Sequence, residues 1–476
     1  MAKIYFRADG NTKIGLGHIT RSLALACMLK DKFECVFLIQ NPIETIQKQL
    51  QQEHFDFIAL PETENYLHEA TFVATTYLKP KDIIVIDNYN FKTEYQEIIK
   101  SSGSKLVCID DLHAWHHVAD VIINHAGGIS KESYNAEPST HFCLGSEYAL
   151  LRPAFLQVAN QPKEISKLEK VFICFGGADT QNLSLKTAQI CLANPSFTEI
   201  HLVVGSSFPH LETLKNISNS RFHLYQNLDA QGMCDLMQTC DLAIAQASSI
   251  AYEICSVGIY FLCGYYVDNQ QGIYEFLMSN KLANGLSMFE DIENAIQELV
   301  ETKPSHPQNQ KLYFDGKSKK RLTSVFQSLL LTFRKASIDD IHTYFEWTND
   351  PEVRANSLNA EPINWEEHSA WFQRRLNDSS TLFYLFEYEG KPMGQLRIEI
   401  RQEIALINYS IAKEFRGNGF GRIMFQKILP LIQKEQQVTK FEAIVKKQNI
   451  ASSNIFQQLD FELTEGKDGL LKFILS

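Results

Sequence analysis

Residues 416–421 read Arg416-Gly417-Asn418-Gly419-Phe420-Gly421, between the alternating run Ile407-Asn408-Tyr409-Ser410-Ile411 and a helical stretch over 421–435. Glycines let a backbone approach a ligand closely, and successive N–H groups at a helix start capture an anion such as a diphosphate. Arg416 and Arg422 add positive charge. A tight turn alone would also use glycine, so the surroundings decide. Consecutive strands are predicted upstream at 382–388, 395–400 and 405–411. A strand at 440–445, a helix at 452–458 and a final strand close the chain. Before the strands, a helical region carries Phe345-x-Trp347-x-Asn349-Asp350 and Glu367-His368-x-x-Trp371-Phe372. After them comes Asn449-x-x-Ser452-x-x-x-Phe456, ahead of Phe461.

Together these segments resemble the GNAT acetyltransferase superfamily over residues 331–476. The resemblance implies an α+β domain that binds acetyl-CoA through Ile411, Arg416, Gly417, Asn418, Gly419, Phe420, Gly421, Asn449, Ser452 and Phe456. It also implies direct attack of an amine on the thioester, with backbone N–H groups of a splayed strand near Ile411 polarising the carbonyl. Many members hold a tyrosine where this chain has Phe456, and that phenol protonates the leaving thiolate. Phe456 cannot, which leaves solvent or another tyrosine. Glu399 and Glu403 are candidates for the base, or simply solvated strand residues. His368 is a substrate contact or a packed helix-start histidine, and Trp365 and Trp371 stack on a base or fill the core.

The first part of the chain alternates short apolar runs with helical patterns. Strands are predicted at 3–7, 34–39, 55–60, 82–87 and 105–109, then again at 170–175, 199–204, 222–225, 242–245 and 260–262. Near-continuous apolar strands between helices predict parallel sheets covered on both faces. The expected fold is therefore α/β: two doubly wound, Rossmann-like lobes over 1–150 and 151–330, with a cleft between them. A third, α+β domain covers 331–476.

Ligands of such sheets bind at the C-terminal ends of the strands. The first strand is followed by Arg7-Ala8-Asp9-Gly10, then Gly15-Leu16-Gly17-His18 and Arg21. This is neither a Walker loop nor G-x-G-x-x-G, yet Gly15 and Gly17 at a helix start face a diphosphate. At that position the helix dipole favours neutral imidazole, which can take a proton from water. A capping or packing histidine is the bland alternative. Later loops offer Gly176-Gly177-Ala178-Asp179, Ser248 and Ser249 as helix caps and phosphate donors, Glu253 as acceptor from ribose hydroxyls, and Asn269-Gln270.

These motifs, with Asp87-Asn88-Tyr89, Asp110-Asp111 and Tyr148-Ala149-Leu150-Leu151-Arg152-Pro153, resemble a family within the two-lobed glycosyltransferase B-type fold. It is the bacterial UDP-2,4-diacetamido-2,4,6-trideoxy-β-L-altropyranose hydrolase family of pseudaminic acid synthesis. The resemblance spans residues 3–328. It implies that His18 activates water, that Tyr89 and Asn269 line the sugar site, and that Arg152 contacts substrate. Asn88 stands where serine is common, and the Ser248-Ser249 loop lacks a glycine often found there. Gly15, Gly17, Arg21, Gly177, Asp179, Ser248, Ser249, Glu253 and Gln270 complete the expected UDP-sugar set. The fused chain is expected to acetylate a UDP-4-amino sugar and then hydrolyse the product. A glycosyltransferase, a nucleotide-sugar binding module, or acetylation of a protein N-terminus are the alternatives.

Composition sets outer bounds. The chain has 476 residues and a formal net charge of −11, which argues against general nucleic-acid binding. The start reads as a strand, not a signal peptide, and no long apolar run suggests a membrane span. A cytoplasmic protein is expected. The ten cysteines lie between Cys27 and Cys263 without a C-x-x-C pair, which suggests buried thiols in a reducing compartment. Asp110, Asp111, His113, His116, His117 and His125 would suit a metal only if they converge. A helix bearing solvated histidines is the simpler expectation, and no metal is expected.

Overall fold

A computed structural model describes residues 2–10, 15–161, 163–176, 179, 181–205, 208–286, 289, 291–302, 304–465 and 469–476, the Asn269 and Glu465 side chains excepted. The chain divides into two compact units, Met1–Thr323 and Ser324–Ser476.

The first unit holds two parallel sheets. Strands β1 (Lys3–Ala8), β2 (Glu34–Gln40), β3 (Asp56–Leu60), β4 (Ile83–Asp87), β5 (Lys105–Ile109), β6 (Val121–Asn124) and β7 (His141–Leu144) lie in the order β3-β2-β1-β4-β5-β6-β7. Every residue of β4 is buried, as helices on both faces require. The order reverses between β1 and β4. Helix α1 (Gly17–Leu29) leaves β1 there, and α2 (Tyr66–Thr76) precedes β4. Gly10 is needed where the chain leaves β1: a Cβ would lie 2.5 Å from Ile19 Cγ2 and 2.9 Å from Ile46 Cδ1.

Periodicity misses β6 and β7, whose four-residue length gives little pattern. The histidine run is not the expected helix. His116–His117 form a short strand paired with Asn135–Ala136, and the buried His117 ring lies beside Gln96.

The second sheet contains β8 (Lys170–Cys174), β9 (Glu199–Val204), β10 (Phe222–Gln226), β11 (Leu242–Gln246), β12 (Tyr260–Gly264) and β13 (Asn284–Leu286), ordered β10-β9-β8-β11-β12-β13. Its reversal falls between β8 and β11. Helix α3 (Ser249–Val257) follows β11. The two lobes meet where Gly127 N–H donates to Tyr252 Oη at 3.0 Å. A Cβ on Gly127 would stand 2.1 Å from the Phe276 ring, so this approach requires glycine.

The second unit has one mixed sheet. Its strands are β14 (Leu331–Lys335), β15 (Thr381–Tyr388), β16 (Lys391–Arg401), β17 (Ile404–Ile411), β18 (Lys440–Lys446), β19 (Glu462–Glu465) and β20 (Leu470–Leu475). The order is β14-β15-β16-β17-β18-β20-β19. Helix α4 (Trp365–Leu376) precedes β15, α5 (Phe420–Gln436) joins β17 to β18, and α6 (Ile450–Gln457) follows β18. The parallel pairing of β17 with β18 runs only from Ile404 to Ile407, whereas β16 stays paired with β17 through Ile411. The sheet therefore splays open along residues 408–411.

All ten cysteines are buried free thiols. Among the described residues, no helix is long and apolar enough to cross a membrane.

Candidate functional sites

In the first unit, His18 opens α1 and Asp87 ends β4, on the two sides of the sheet's switch point. His18 Nδ1 lies 2.6 Å from Asp87 Oδ1. Arg21, one helical turn further on, donates from Nε to Asp87 Oδ2 and from Nη2 to Oδ1, both at 2.6 Å, and from Nη1 to Asp111 Oδ2 at 2.7 Å. Burial alone would push the Asp87 carboxyl up. Arg21 and then His18 outweigh it and hold Asp87 below its ordinary value. The charged carboxylate accepts only, so Nδ1 carries a proton, and Nε2 is the ring nitrogen that Asp87 does not engage. Arg21 Nη2 lies 3.2 Å from Nδ1 because both donors converge on one oxygen. Tyr89 stands edge-on to the imidazole, ring centroids 4.6 Å apart, and is 48% exposed. The arrangement is an imidazole oriented by a carboxylate beside an exposed tyrosine face.

Around this pair the backbone is available to an anion. Gly15 has φ +80°, and among the described residues a Cβ at Gly15 or Gly17 would touch nothing within 4 Å. Among the described residues, helix α1 has no side-chain cap, and no acidic residue lies in its first turn. Asp9 and Arg7, by contrast, are structural. Arg7 is fully buried, binds both Glu69 oxygens at 2.7 and 2.9 Å, and contacts Asp9 at 2.6 Å.

The second lobe repeats the geometry at its own switch point. Gly176 follows β8 with φ +77°, and a Cβ there would lie 3.0 Å from Gln246 Nε2 at the end of β11. Ser248 does not cap α3 as expected: it is the N-cap residue, yet its side chain makes no cap hydrogen bond. Its extended backbone (φ −137°, ψ −169°) leaves the first N–H groups of α3, with Ser249, without that partner. Asp179 is turned inward, 1% exposed, its two oxygens accepting from Leu183 and Ser184 N–H at 2.9 and 2.8 Å. It shapes the loop through the next helix. Gly177 and the Asn269 side chain lie outside what is described. Gln270 is buried and accepts from Tyr266 N–H at 3.2 Å.

Arg152 and Glu253, expected to meet substrate separately, form a bidentate pair at 2.6 and 2.8 Å. The Arg152 donors face the carboxylate, and Glu253 retains lone pairs for further hydroxyl donors. His125, at the end of β6, accepts from Leu150 N–H at 3.2 Å and is pushed down to about 4, by burial first and then by Arg21. Spacing gives no hint of its place beside Arg21. In the rest of the histidine run, Asp110 accepts from the His113 backbone N–H, His117 Nδ1 lies beside Gln96 and His116 beside Asn135, and among the described residues no group of three or more His, Cys, Asp or Glu could hold a metal.

In the second unit, a cavity of about 930 Å³ lies along the splayed strand. Ile411, Arg416, Gly417, Gly419, Phe420, Gly421, Asn449, Ser452 and Phe456 line it. Gly417 and Gly419 have φ +74° and +82°, and a Cβ on either would touch nothing. Helix α5 starts without a side-chain cap and without an acidic residue in its first turn. This cradle fits a diphosphate, and the unpaired strand edge fits an amide-bearing chain.

Arg416 does not offer its charge as expected. Nε donates to Ile411 O at 2.9 Å, Nη1 to Glu352 at 2.8 Å and Nη2 to Asp350 at 2.9 Å, so the guanidinium ties the loop to the strand end and to the early helices. Asn418 turns into the loop, donating to Arg416 O at 3.1 Å. Asn449 caps α6 through Ser452 N–H at 3.1 Å. Phe456 is buried among Phe425, Phe461 and Phe473.

His368 also lines the cavity; it is 1% exposed, and among the described residues its Nε2 has no hydrogen-bond partner. Burial holds this histidine below its ordinary value. Arg397 lies over the Trp371 ring at 5.0 Å, beside Glu399 at 3.3 Å. Trp365 stacks instead on His342, centroids 4.4 Å apart. Glu403 accepts from Thr439 at 3.3 Å, on the sheet's far turn.

Comparison with known proteins agrees with this two-part layout. The acetyltransferase (GNAT) domain family matches residues 331–462. A UDP-2,4-diacetamido-2,4,6-trideoxy-β-L-altropyranose hydrolase of Campylobacter jejuni is 30% identical over 280 residues, covering 58% of this chain and 96% of that protein. An uncharacterized protein of Methanocaldococcus jannaschii is 24% identical over 97% of both chains. The spore coat polysaccharide biosynthesis protein SpsG of Bacillus subtilis is 25% identical over 68% of this chain and 97% of its own. Acetyl-CoA is the cosubstrate of the C-terminal domain. The chain belongs to the family of the Campylobacter jejuni hydrolase, and carries in the same polypeptide a GNAT acetyltransferase domain.

Proposed function

We propose that the chain is a bifunctional enzyme of pseudaminic acid biosynthesis. In this reading residues 1–150 and 151–330 are the two lobes of a glycosyltransferase B-type hydrolase, and 331–476 is an N-acetyltransferase. The acetyltransferase places an acetyl group on the 4-amino group of a UDP-4-amino-4,6-dideoxy-N-acetylhexosamine. The hydrolase then cleaves the resulting UDP-2,4-diacetamido-2,4,6-trideoxy sugar into free sugar and UDP.

The observation that carries the hydrolase is the His18–Asp87 pair, 2.6 Å apart at the switch point. His18 Nε2 takes a proton from water. The water oxygen bonds to the anomeric carbon, and the bond to the diphosphate oxygen breaks with its electron pair leaving on UDP. Attack opposite the leaving group inverts the centre. Gly15, Gly17 and the α1 start, with Ser248 and Ser249 on the second lobe, receive the diphosphate through backbone N–H groups and hydroxyls. Tyr89 lines the sugar site, a role the family resemblance also gives Asn269, and Gln270 belongs to the wider UDP-sugar set. Glu253, steadied by Arg152, accepts ribose hydroxyls. Arg21 and Asp179 act by positioning, Arg21 on the His18–Asp87 pair and Asp179 on the loop ahead of its helix. The 30% identity to the Campylobacter jejuni hydrolase supports this substrate class.

An NMR time course with acetyl-CoA and UDP-4-amino-4,6-dideoxy-N-acetyl-β-L-altrosamine tests both steps. N-acetylation followed by UDP release is expected. His18→Ala should leave acetylation intact and slow UDP release by about 10²–10⁴-fold, the usual worth of a general base. The similarity to SpsG favours a second reading, glycosyl transfer to a polysaccharide acceptor. Acetylation without UDP release until an acceptor is added would support it and remove the hydrolase.

A further inference from the structure

Phe456 holds no proton, so the thiolate leaving in acetyl transfer must be met by another group. Two tyrosines line the cavity, Tyr344 and Tyr409. Tyr344 is 2% exposed, and its hydroxyl is committed to the Tyr384 carbonyl at 3.0 Å. Tyr409 stands on the splayed part of β17. Its ring meets Phe456 edge-on, centroids 6.1 Å apart at 88°, and its oxygen lies 2.8 Å from Ser452 Oγ.

Ser452 and Phe456 are one turn apart and share a face of α6. The strand phenol thus reaches the helix face on which Phe456 offers none, one turn nearer the helix start. Beyond Ile407 the same strand is released by β18. Backbone groups able to polarise a thioester carbonyl and a hydroxyl able to meet its sulfur therefore come from one short stretch.

We propose that Tyr409, relayed by Ser452, is the catalytic acid of acetyl transfer in this domain. The acceptor nitrogen forms the bond to the acetyl carbon, the carbon–sulfur bond breaks, and its electron pair stays on sulfur. The Tyr409 proton moves to sulfur and yields the free thiol of CoA. The Ser452 proton passes to the phenolate, solvent restores Ser452, and the proton lost by the amine goes to solvent. Burial pushes the Tyr409 phenol up to about 12, slightly relieved by Ser452, so it stays protonated at neutral pH. The assignment rests on acetyl transfer by this domain and not on which amine accepts.

The test compares the full-length protein with Tyr409→Phe and Ser452→Ala, following release of CoA thiol from acetyl-CoA with the UDP-4-amino sugar. If wild type leaves that sugar unmodified, the substrate proposal fails, and the same comparison is made on acetyl-CoA hydrolysis, with water as acceptor. Tyr409→Phe keeps the ring and its packing. It should lower kcat by about 10²-fold, the low end for a general acid, with KM for acetyl-CoA within twofold. Ser452→Ala should lower kcat several-fold. Wild-type kcat in Tyr409→Phe, or a raised KM with unchanged kcat, overturns the assignment. Should Tyr409→Phe not fold, Ser452→Ala decides by the same split. Wild type inert in both assays overturns it together with acetyl transfer.

Discussion

Arg416 shows how a charge can serve a ligand site without touching the ligand. Three of its nitrogens reach Ile411 O, Glu352 and Asp350, in a fork geometry that a point charge cannot copy. If the residue served as a cation for the diphosphate, Arg416→Lys would preserve binding. The geometry predicts instead that Arg416→Lys behaves like Arg416→Ala. Both should raise KM for acetyl-CoA roughly tenfold, about 1.4 kcal/mol. Steady-state kinetics of the two variants checks this, and a near-normal lysine variant would restore the direct-contact view. The motif was legible because its glycines are contiguous in sequence. The role of Arg416 was not, because its acidic partners lie 64 and 66 residues earlier. Distance in sequence hid the His18–Asp87 pair from spacing arguments in the same way: 69 residues separate them, and only resemblance drew attention to Asp87. Asp179 misled for a different reason. A carboxylate after a glycine pair suits a ligand loop or a helix start equally well, and only the fold shows it bound to Leu183 and Ser184 N–H.

At the scale of elements, strands buried on both faces were readable as apolar runs, while β6 and β7 were too short to show a pattern. The opening in the last sheet is a register property. The sequence of β17 looks uniform, yet β18 pairs with only its first half. The loop that follows depends on conformations rarely open to residues with a Cβ. Gly419 sits at φ +82° with free space where a Cβ would go. Gly419→Ala should therefore cost about 1–2 kcal/mol through backbone strain and not through a clash. Urea unfolding of the full-length chain, followed by tryptophan fluorescence, measures it. Gly421→Ala is a different case, since its Cβ would lie 2.6 Å from Ile455 Cδ1, the movable end of a side chain. An unchanged midpoint for Gly419→Ala would mean that the loop adopts another backbone course.

Across the whole molecule, buried histidines are unevenly shared between the two units. Besides His18, the first unit buries His117, His201 and His306, and His125 lies half-buried there. Burial holds these last four below the ordinary value, His125 and His306 down to about 4. The second unit has one such group, His368. A histidine depressed in the folded state binds its proton first in the unfolded chain. Its neutral form favours folding above about pH 6.5, and that advantage is lost as pH falls toward the folded value. His116, on the surface, is raised and acts in the opposite sense, but it is one exposed group. Between pH 6.5 and 4.5 the first unit should therefore lose more stability than the second. Three of the four tryptophans (Trp347, Trp365 and Trp371) lie in the second unit, so fluorescence reports mainly on it while far-ultraviolet circular dichroism follows both. Thermal melts at pH 7 and 4.5 should give coincident or nearby midpoints at the higher pH. At the lower pH the dichroism transition should begin several degrees before the fluorescence transition, and His306→Gln should narrow the gap. Equal downward shifts in both signals would show that acid acts on the two units alike, which the placement of these imidazoles does not allow.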